Sequence, residues 1–173
     1  MQHQDSTLDV IRRRRSIRKY HSTPVSDTVL QELVEAGMCA PSAGDEKPWD
    51  FIVITERMLL DKIAVIHPYA LMMSQVPVAI VVCCDMKLEH LKNHAVIGCA
   101  AATENILLAA ESLKLGAVWL GIYPEADRVA NFKKLFELPD NIMPFALIPV
   151  GQPAEEKLPR GRFDASRVRY NKW

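Results

Sequence analysis

The 173-residue chain has no net charge, no long unbroken apolar run and only four cysteines, and each shortage removes a class of function. Its 21 Lys and Arg balance 21 Asp and Glu. A nucleic-acid domain usually carries a net basic surface that releases counterions, so no nucleic-acid partner is expected. Cys39, Cys83, Cys84 and Cys99 show neither CxxC spacing nor a Cys/His zinc pattern. They read as reduced, buried thiols with no metal between them. His90 and His94 stand at i, i+4, a spacing that shares a helix face, but no acid or cysteine accompanies them at ligand spacing. The most apolar stretch, 95–110, is interrupted at its middle by Thr103, Glu104 and Asn105, where a bilayer penalises polarity most, so it reads as a buried helix and no membrane is expected. The first residues, MQHQDSTLDVIRR, contain no apolar core of a secretory signal, which makes the expected location cytoplasmic. GxGxxG after a strand, GxxxxGK[ST], HExxH and GxSxG are all missing. The side chains alone therefore offer little covalent chemistry, which points to a borrowed cofactor or to no catalysis.

What is present is apolar material and an uneven placement of charge. A chain of this length is about one domain's worth, and 49% apolar residues supply a core. Residues 12–19, RRRRSIRK, hold six basic residues, and residues 157–172 hold six more beside a single acid, Asp164. Between them, residues 20–156 hold nine basic and 18 acidic residues. Two cationic ends flank an acidic body. Arginine forks bind oxyanions bidentately and keep their charge, so two such ends suit one small anionic ligand, such as a phosphate, if the fold brings them together.

Helix and strand signals alternate along the chain without linker or repeat. Ser6 or Thr7 caps a first helix that runs into the arginines, and Ser26 caps a second bearing Leu30, Leu33, Val34 and Met38 on one face. Pro41, Ser42, Gly44 and Pro48 make the following segment a loop. Strands are expected at 51–54, 78–83, 117–122 and 145–150, and helices at 57–66, 69–75, 93–115 and 125–136, with Gly116 closing the longest as its C-cap. Gly98 to Ala102 forms a small-residue face on that helix, a candidate seam between copies of the chain. The expected class is α+β or α/β, with about four strands covered by helices and a polar C-terminal tail.

Four segments, in order, resemble the FMN-dependent nitroreductase family. Arg14-Arg15-Ser16-Ile17-Arg18-Lys19-Tyr20 is similar to its RRSxR(x)[FY] opening, and 40–51, APSAGDEKPWDF, to its APSxxNxQPWxF loop. Leu115-Gly116-Ala117-Val118-Trp119-Leu120-Gly121 resembles its LGxxxxxG strand, and Ile148-Pro149-Val150-Gly151-Gln152-Pro153, with Arg160 and Arg162 beyond, its closing strand and phosphate-binding pair.

The resemblance implies a three-layer α/β/α sandwich around a mostly antiparallel sheet of about four to five strands, one domain over 1–173. It implies bound FMN and transfer of hydride from NADH or NADPH, by way of flavin N5, to a small acceptor such as a nitroaromatic or quinone. It further implies a homodimer with each flavin between two chains and the tail, about 160–173, crossing to the partner. By the same resemblance Arg14, Arg160 and Arg162 meet the phosphate with Ser16 in support, Arg15 reaches the ribityl chain or phosphate, and Arg18 lies at the pyrimidine edge of the ring. Pro41, Ser42 and Ala43 pack on the flavin from the other subunit, and Leu120 and Gly121 face N5. Asp45 and Lys47 stand where the family commonly has Asn and Gln, so they either pair with each other or bring Lys47 to the flavin or an acidic substrate. Two other readings stay open: a flavin-binding or regulatory protein without turnover, and a relative that uses reduced flavin to dehalogenate or to fragment the flavin.

Overall fold

The apolar run Val78–Asp85 forms strand β2, and its alternation divides the interior in two. Val78, Ile80, Val82 and Cys84 enter one core; Ala79, Val81 and Cys83 enter the other. The computed structural model of the protein describes residues 6–159 and 161–173. Against the first face of β2 pack helices α2 (Asp27–Met38) and α4 (Ala95–Ser112), through Leu30, Leu33, Cys99, Ala102 and Ile106. Against the second pack α3 (Arg57–Ile66) and α5 (Ala126–Leu135), through Leu60, Ile63 and Phe132. The result is the expected three-layer sandwich. Each fully buried Val or Ile of β2 contributes roughly 1.5–3 kcal/mol, which is why this strand sits at the centre.

β2 pairs with β1 (Trp49–Ile54) on one side and with β5 (Ile142–Gly151) on the other, both antiparallel. Beyond β5 lie two short strands, β3 (Gly116–Ala117) and β4 (Leu120–Gly121), both antiparallel to it. The strand expected over 117–122 is thus interrupted, although its register is constant: Ala117 faces Val150 and Leu120 faces Leu147. Val118 then stands opposite Pro149, which has no N–H to give, and the ladder breaks there. A second irregularity lies between Val82 and Cys83, where the β2–β5 register shifts. The extra residue lets Phe145 and Ala146 both enter the first core, and the Phe145 carbonyl accepts the N–H groups of both Ile122 and Tyr123.

Ser6 caps α1 (Thr7–Arg13) and Ser26 caps α2, each hydroxyl accepting the N–H three residues on. Gly116 is not the cap of α4. The left-handed turn after that helix falls on Lys114 at φ 60, while Gly116 gives Ile17 its place: a Cβ there would lie 2.7 Å from Ile17 Cγ2. The segment expected as a helix over 69–75 is a short 3-10 turn at Leu71–Ser74. His90 precedes α4 and His94 stands at its cap, so the two histidines do not share a helix face. Gly98, Cys99 and Ala102 are buried in this chain's own packing, Gly98 against Pro48 and Ser42, while Ala100 and Ala101 of the same stretch stay partly exposed. Cys39 is exposed, unlike the other three cysteines, which are buried. Cys83 and Cys84 take opposite faces as their adjacency requires.

Gly116→Ala is expected to destabilise the protein by about 1–3 kcal/mol in urea unfolding, because the new methyl forces Ile17 to move. Gly161→Ala, with no atom within 4 Å of its Cβ, is expected to change stability by less than about 0.5 kcal/mol.

Candidate functional site

Past the end of α1 the chain leaves helical geometry at Arg14 and lies along β3. Ser16 pairs in parallel with Ala117, and the Ile17 N–H donates to the Ala117 carbonyl at 3.0 Å. Tyr20 then pairs with Pro153, so the basic N-terminal segment runs between β3 and the segment that follows β5. Three further bonds join these two stretches. Arg15 Nε donates to the Leu158 carbonyl at 3.1 Å, Lys157 Nζ to the Ser16 carbonyl at 2.6 Å, and the Arg18 N–H to Glu155 Oε1 at 2.5 Å. The fold thereby brings both cationic ends of the sequence together.

Their guanidinium groups are differently engaged. Arg14 Nε pairs with Glu104 of α4 at 3.0 Å. Arg15 donates through Nη1 to the carbonyls of Arg12 and Arg14, and its Nη2 is buried with no hydrogen-bond partner. Among the described residues, the Arg18 and Arg162 guanidiniums have no hydrogen-bond or ion-pair partner. Arg15 and Arg162 line one cavity of about 480 Å³ together with Ile11, Arg12 and Phe163. Arg12 also lines this cavity, but its side chain is 70% exposed and reaches Asp9 at 3.8 Å. Arg160 lies outside the described residues.

Glu155 and Lys157 are the residues that the motif reading missed. Their ion pair, at 3.1 Å, ties the crossing together. Burial alone would raise the Glu155 carboxyl, but the Arg18 N–H and the Lys157 ammonium outweigh it and hold the group below the ordinary carboxylate value.

Leu120 is buried opposite Leu147, and Gly121 stands opposite Ala146. A Cβ on Gly121 would meet only the Tyr123 carbonyl, at an ordinary 3.6 Å, so the chain's own packing does not demand glycine there. The space before it is open to a ligand. Behind it, the Gly121 carbonyl accepts from two side chains: His67 Nε2 at 3.1 Å and Arg128 Nη1 at 2.8 Å. No motif marked either residue, because the contact joins α5 and the turn after α3 to β4 across the fold.

The loop between α2 and β1 is elsewhere. Ser42 Oγ accepts the Lys47 N–H at 2.9 Å, and Asp45 pairs with Lys47 at 2.9 Å, so these two charges satisfy each other. Pro41 and Ala43 flank the same turn, with Ala43 opening its 3-10 segment. The register sets Gly121, Ala146, Val82 and Phe51 in a row across the sheet, which puts β1 three strand spacings, about 14 Å, from β4. One chain does not bring Pro41, Ser42 and Ala43 to Gly121.

An unpartnered buried arginine nitrogen, two free guanidiniums and an open glycine backbone fit a ligand with an anionic end and a flat ring. FMN is such a molecule. The nitroreductase family model matches residues 11–67 and 64–152. A relative from Methanothermobacter thermautotrophicus named "Putative NADH dehydrogenase/NAD(P)H nitroreductase" is 48% identical over 96% of this chain and 87% of its own. A crystal structure of a protein of the same name from Parabacteroides distasonis superposes with a TM-score of 0.94 at 42% identity, covering 98% of this chain and 99% of its own. Another, described as "a putative nitroreductase in complex with fmn" from Desulfovibrio desulfuricans, gives 0.84 at 30% identity and covers 98% of each chain.

Because the Glu155 carboxyl is held below its ordinary value, its contribution to stability is full above about pH 4.3 and is lost as pH falls through the lower folded value. Urea unfolding of Glu155→Gln is expected to show lower stability than the parent at neutral pH, with the difference shrinking toward pH 3.

Proposed function

The chain belongs to the nitroreductase family, and from that premise we propose that it is an FMN-dependent oxidoreductase, working as a homodimer, that passes electrons from NADH or NADPH to a small acceptor such as a nitroaromatic or a quinone. The observation that carries this reading is the convergence of the 14–18 segment and the 153–158 segment at β3, on the strand line that continues through β4 to the open backbone of Gly121. A 30% identical neighbour described as holding FMN supports it. When bound, FMN would supply the redox chemistry, accepting hydride at N5 and returning the electrons to the acceptor.

The chain's own residues bind and orient. Arg14, Arg15, Arg160 and Arg162 hold the phosphate, with Ser16 as a further donor. Arg14 spends one of its five donor N–H groups on Glu104 and keeps the others for oxygen atoms. Arg18 places its unpaired charge at the pyrimidine edge of the ring, and Gly121 offers its N–H with no side chain in the way. Leu120 flanks that approach and excludes water.

The loop holding Pro41, Ser42 and Ala43 belongs to the site of a second copy, since in its own chain it lies across the sheet from Gly121. Asp45 and Lys47 neutralise each other at the rim and leave the phosphate to the arginines. The tail, residues about 160–173, crosses to the partner, because Phe163, Tyr170 and Trp173 are 87%, 85% and 101% exposed in a single chain. Covering them provides apolar burial that one copy does not.

The purified protein is expected to be yellow and to bleach when NADH or NADPH is added without oxygen; a colourless protein that takes up no FMN removes this reading. Arg162→Ala is expected to weaken FMN retention about 10–100-fold, the loss of one charge-assisted contact, while Lys62→Ala on the opposite layer leaves it unchanged.

A further inference from the structure

His67 is a fully buried polar side chain, and the binding machinery above makes no use of it. Its surroundings fix both ring nitrogens. Nε2 faces the Gly121 carbonyl at 3.1 Å, an acceptor, and so carries the proton. Nδ1 accepts the Tyr69 N–H at 3.3 Å and so carries the lone pair. Phe132 and Tyr69 stand edge-on to the imidazole, each with ring centroids 6.2 Å away. Arg128 donates to the same Gly121 carbonyl at 2.8 Å and lies over the Tyr69 ring, 5.3 Å from its centroid.

We propose that His67 and Arg128 are positioning residues, a two-sided clamp on the Gly121 carbonyl that sets this backbone for its contact with the flavin ring and slackens on acidification. The proposal rests on the FMN reading of the site. A single carbonyl with two side-chain donors has both lone-pair directions occupied, so the peptide cannot rotate without breaking a bond to one of them.

Acid sensitivity follows from the tautomer. A proton added at Nδ1 would face the Tyr69 N–H, donor against donor, and would put a second cation beside Arg128. Arg128 is the charged group acting on the ring, and Tyr69 is its titratable neighbour. Burial is the main cause that holds the imidazole below its ordinary value of 6.5, and Arg128 adds to it against the bond to Gly121. With a folded value below the unfolded one, the clamp is whole above about pH 6.5 and is lost as pH falls through the folded value.

The test is FMN binding to the flavin-stripped full chain, followed by FMN fluorescence from pH 8 to pH 5.5, for the parent, His67→Gln and His67→Leu. Gln can donate to Gly121 and accept from Tyr69 but does not titrate. The FMN phosphate itself titrates near pH 6 and acts on all three proteins alike, so the difference between them isolates His67. Expected is parent-like affinity for His67→Gln at pH 8 with a smaller loss than the parent at pH 5.5, and about 3–10-fold weaker binding for His67→Leu at pH 8, the worth of one hydrogen bond. Equal acid dependence in the parent and His67→Gln overturns the clamp while leaving the FMN reading intact. No FMN uptake by any of the three at any pH overturns that reading and the clamp with it.

Discussion

The Ile17 N–H to Ala117 carbonyl bond, with Gly116 giving Ile17 its space, is the contact on which the site depends. It takes a segment with four consecutive arginines, 12–15, which would otherwise repel itself into solvent, and lays it against the edge of the sheet. From there the Tyr20 pairing with Pro153 carries the segment past β5, where Glu155 and Lys157 complete the crossing. That contact, with the Tyr20–Pro153 pairing and the bonds of Arg15, Lys157 and Glu155, holds the two basic ends together. Together they form a single cationic corner at β3, on the strand line that leads through β4 to Gly121.

The sheet determines what this corner lacks. β2 has apolar neighbours on both faces and a strand on both sides, so it occupies the centre, and β1 and β3 are left at opposite edges. The loop before β1 therefore cannot serve the site of its own chain. Its internal pairing of Asp45 with Lys47 also leaves neither of those two charges free, and Glu46 is taken up by the His90 and Leu91 N–H groups. The proposed site, which draws on residues at both edges of the sheet, would be completed by a second copy, and the exposed rings of the tail would give that copy something to cover.

Much of this was legible in the sequence. Strand β2 announced itself as an unbroken apolar run, Ser6 and Ser26 marked helix starts by their position, and the basic ends were visible as composition. Adjacency alone put Cys83 and Cys84 on opposite faces. The misreadings share a cause, which is that a local pattern was resolved by a distant partner. Gly116 resembles a helix cap, yet its function is to admit Ile17. The strand over 117–122 breaks because Pro149, some thirty residues on, stands opposite Val118. His90 and His94 have helical spacing, but the helix begins after them. His67 and Arg128 carry no motif, since their shared acceptor is a backbone carbonyl whose identity depends on how three layers stack. Such contacts have no period for a sequence reading to find.

The central claim is that the two ends of the chain converge on the phosphate of one flavin. Comparing the affinities of the flavin-stripped protein for FMN and for riboflavin, which has the ring and the ribityl chain but no phosphate, tests this most directly. With charge-assisted bonds worth roughly 1.5–3 kcal/mol each, FMN is expected to bind at least about 100-fold more tightly. Equal affinities for the two would contradict the account.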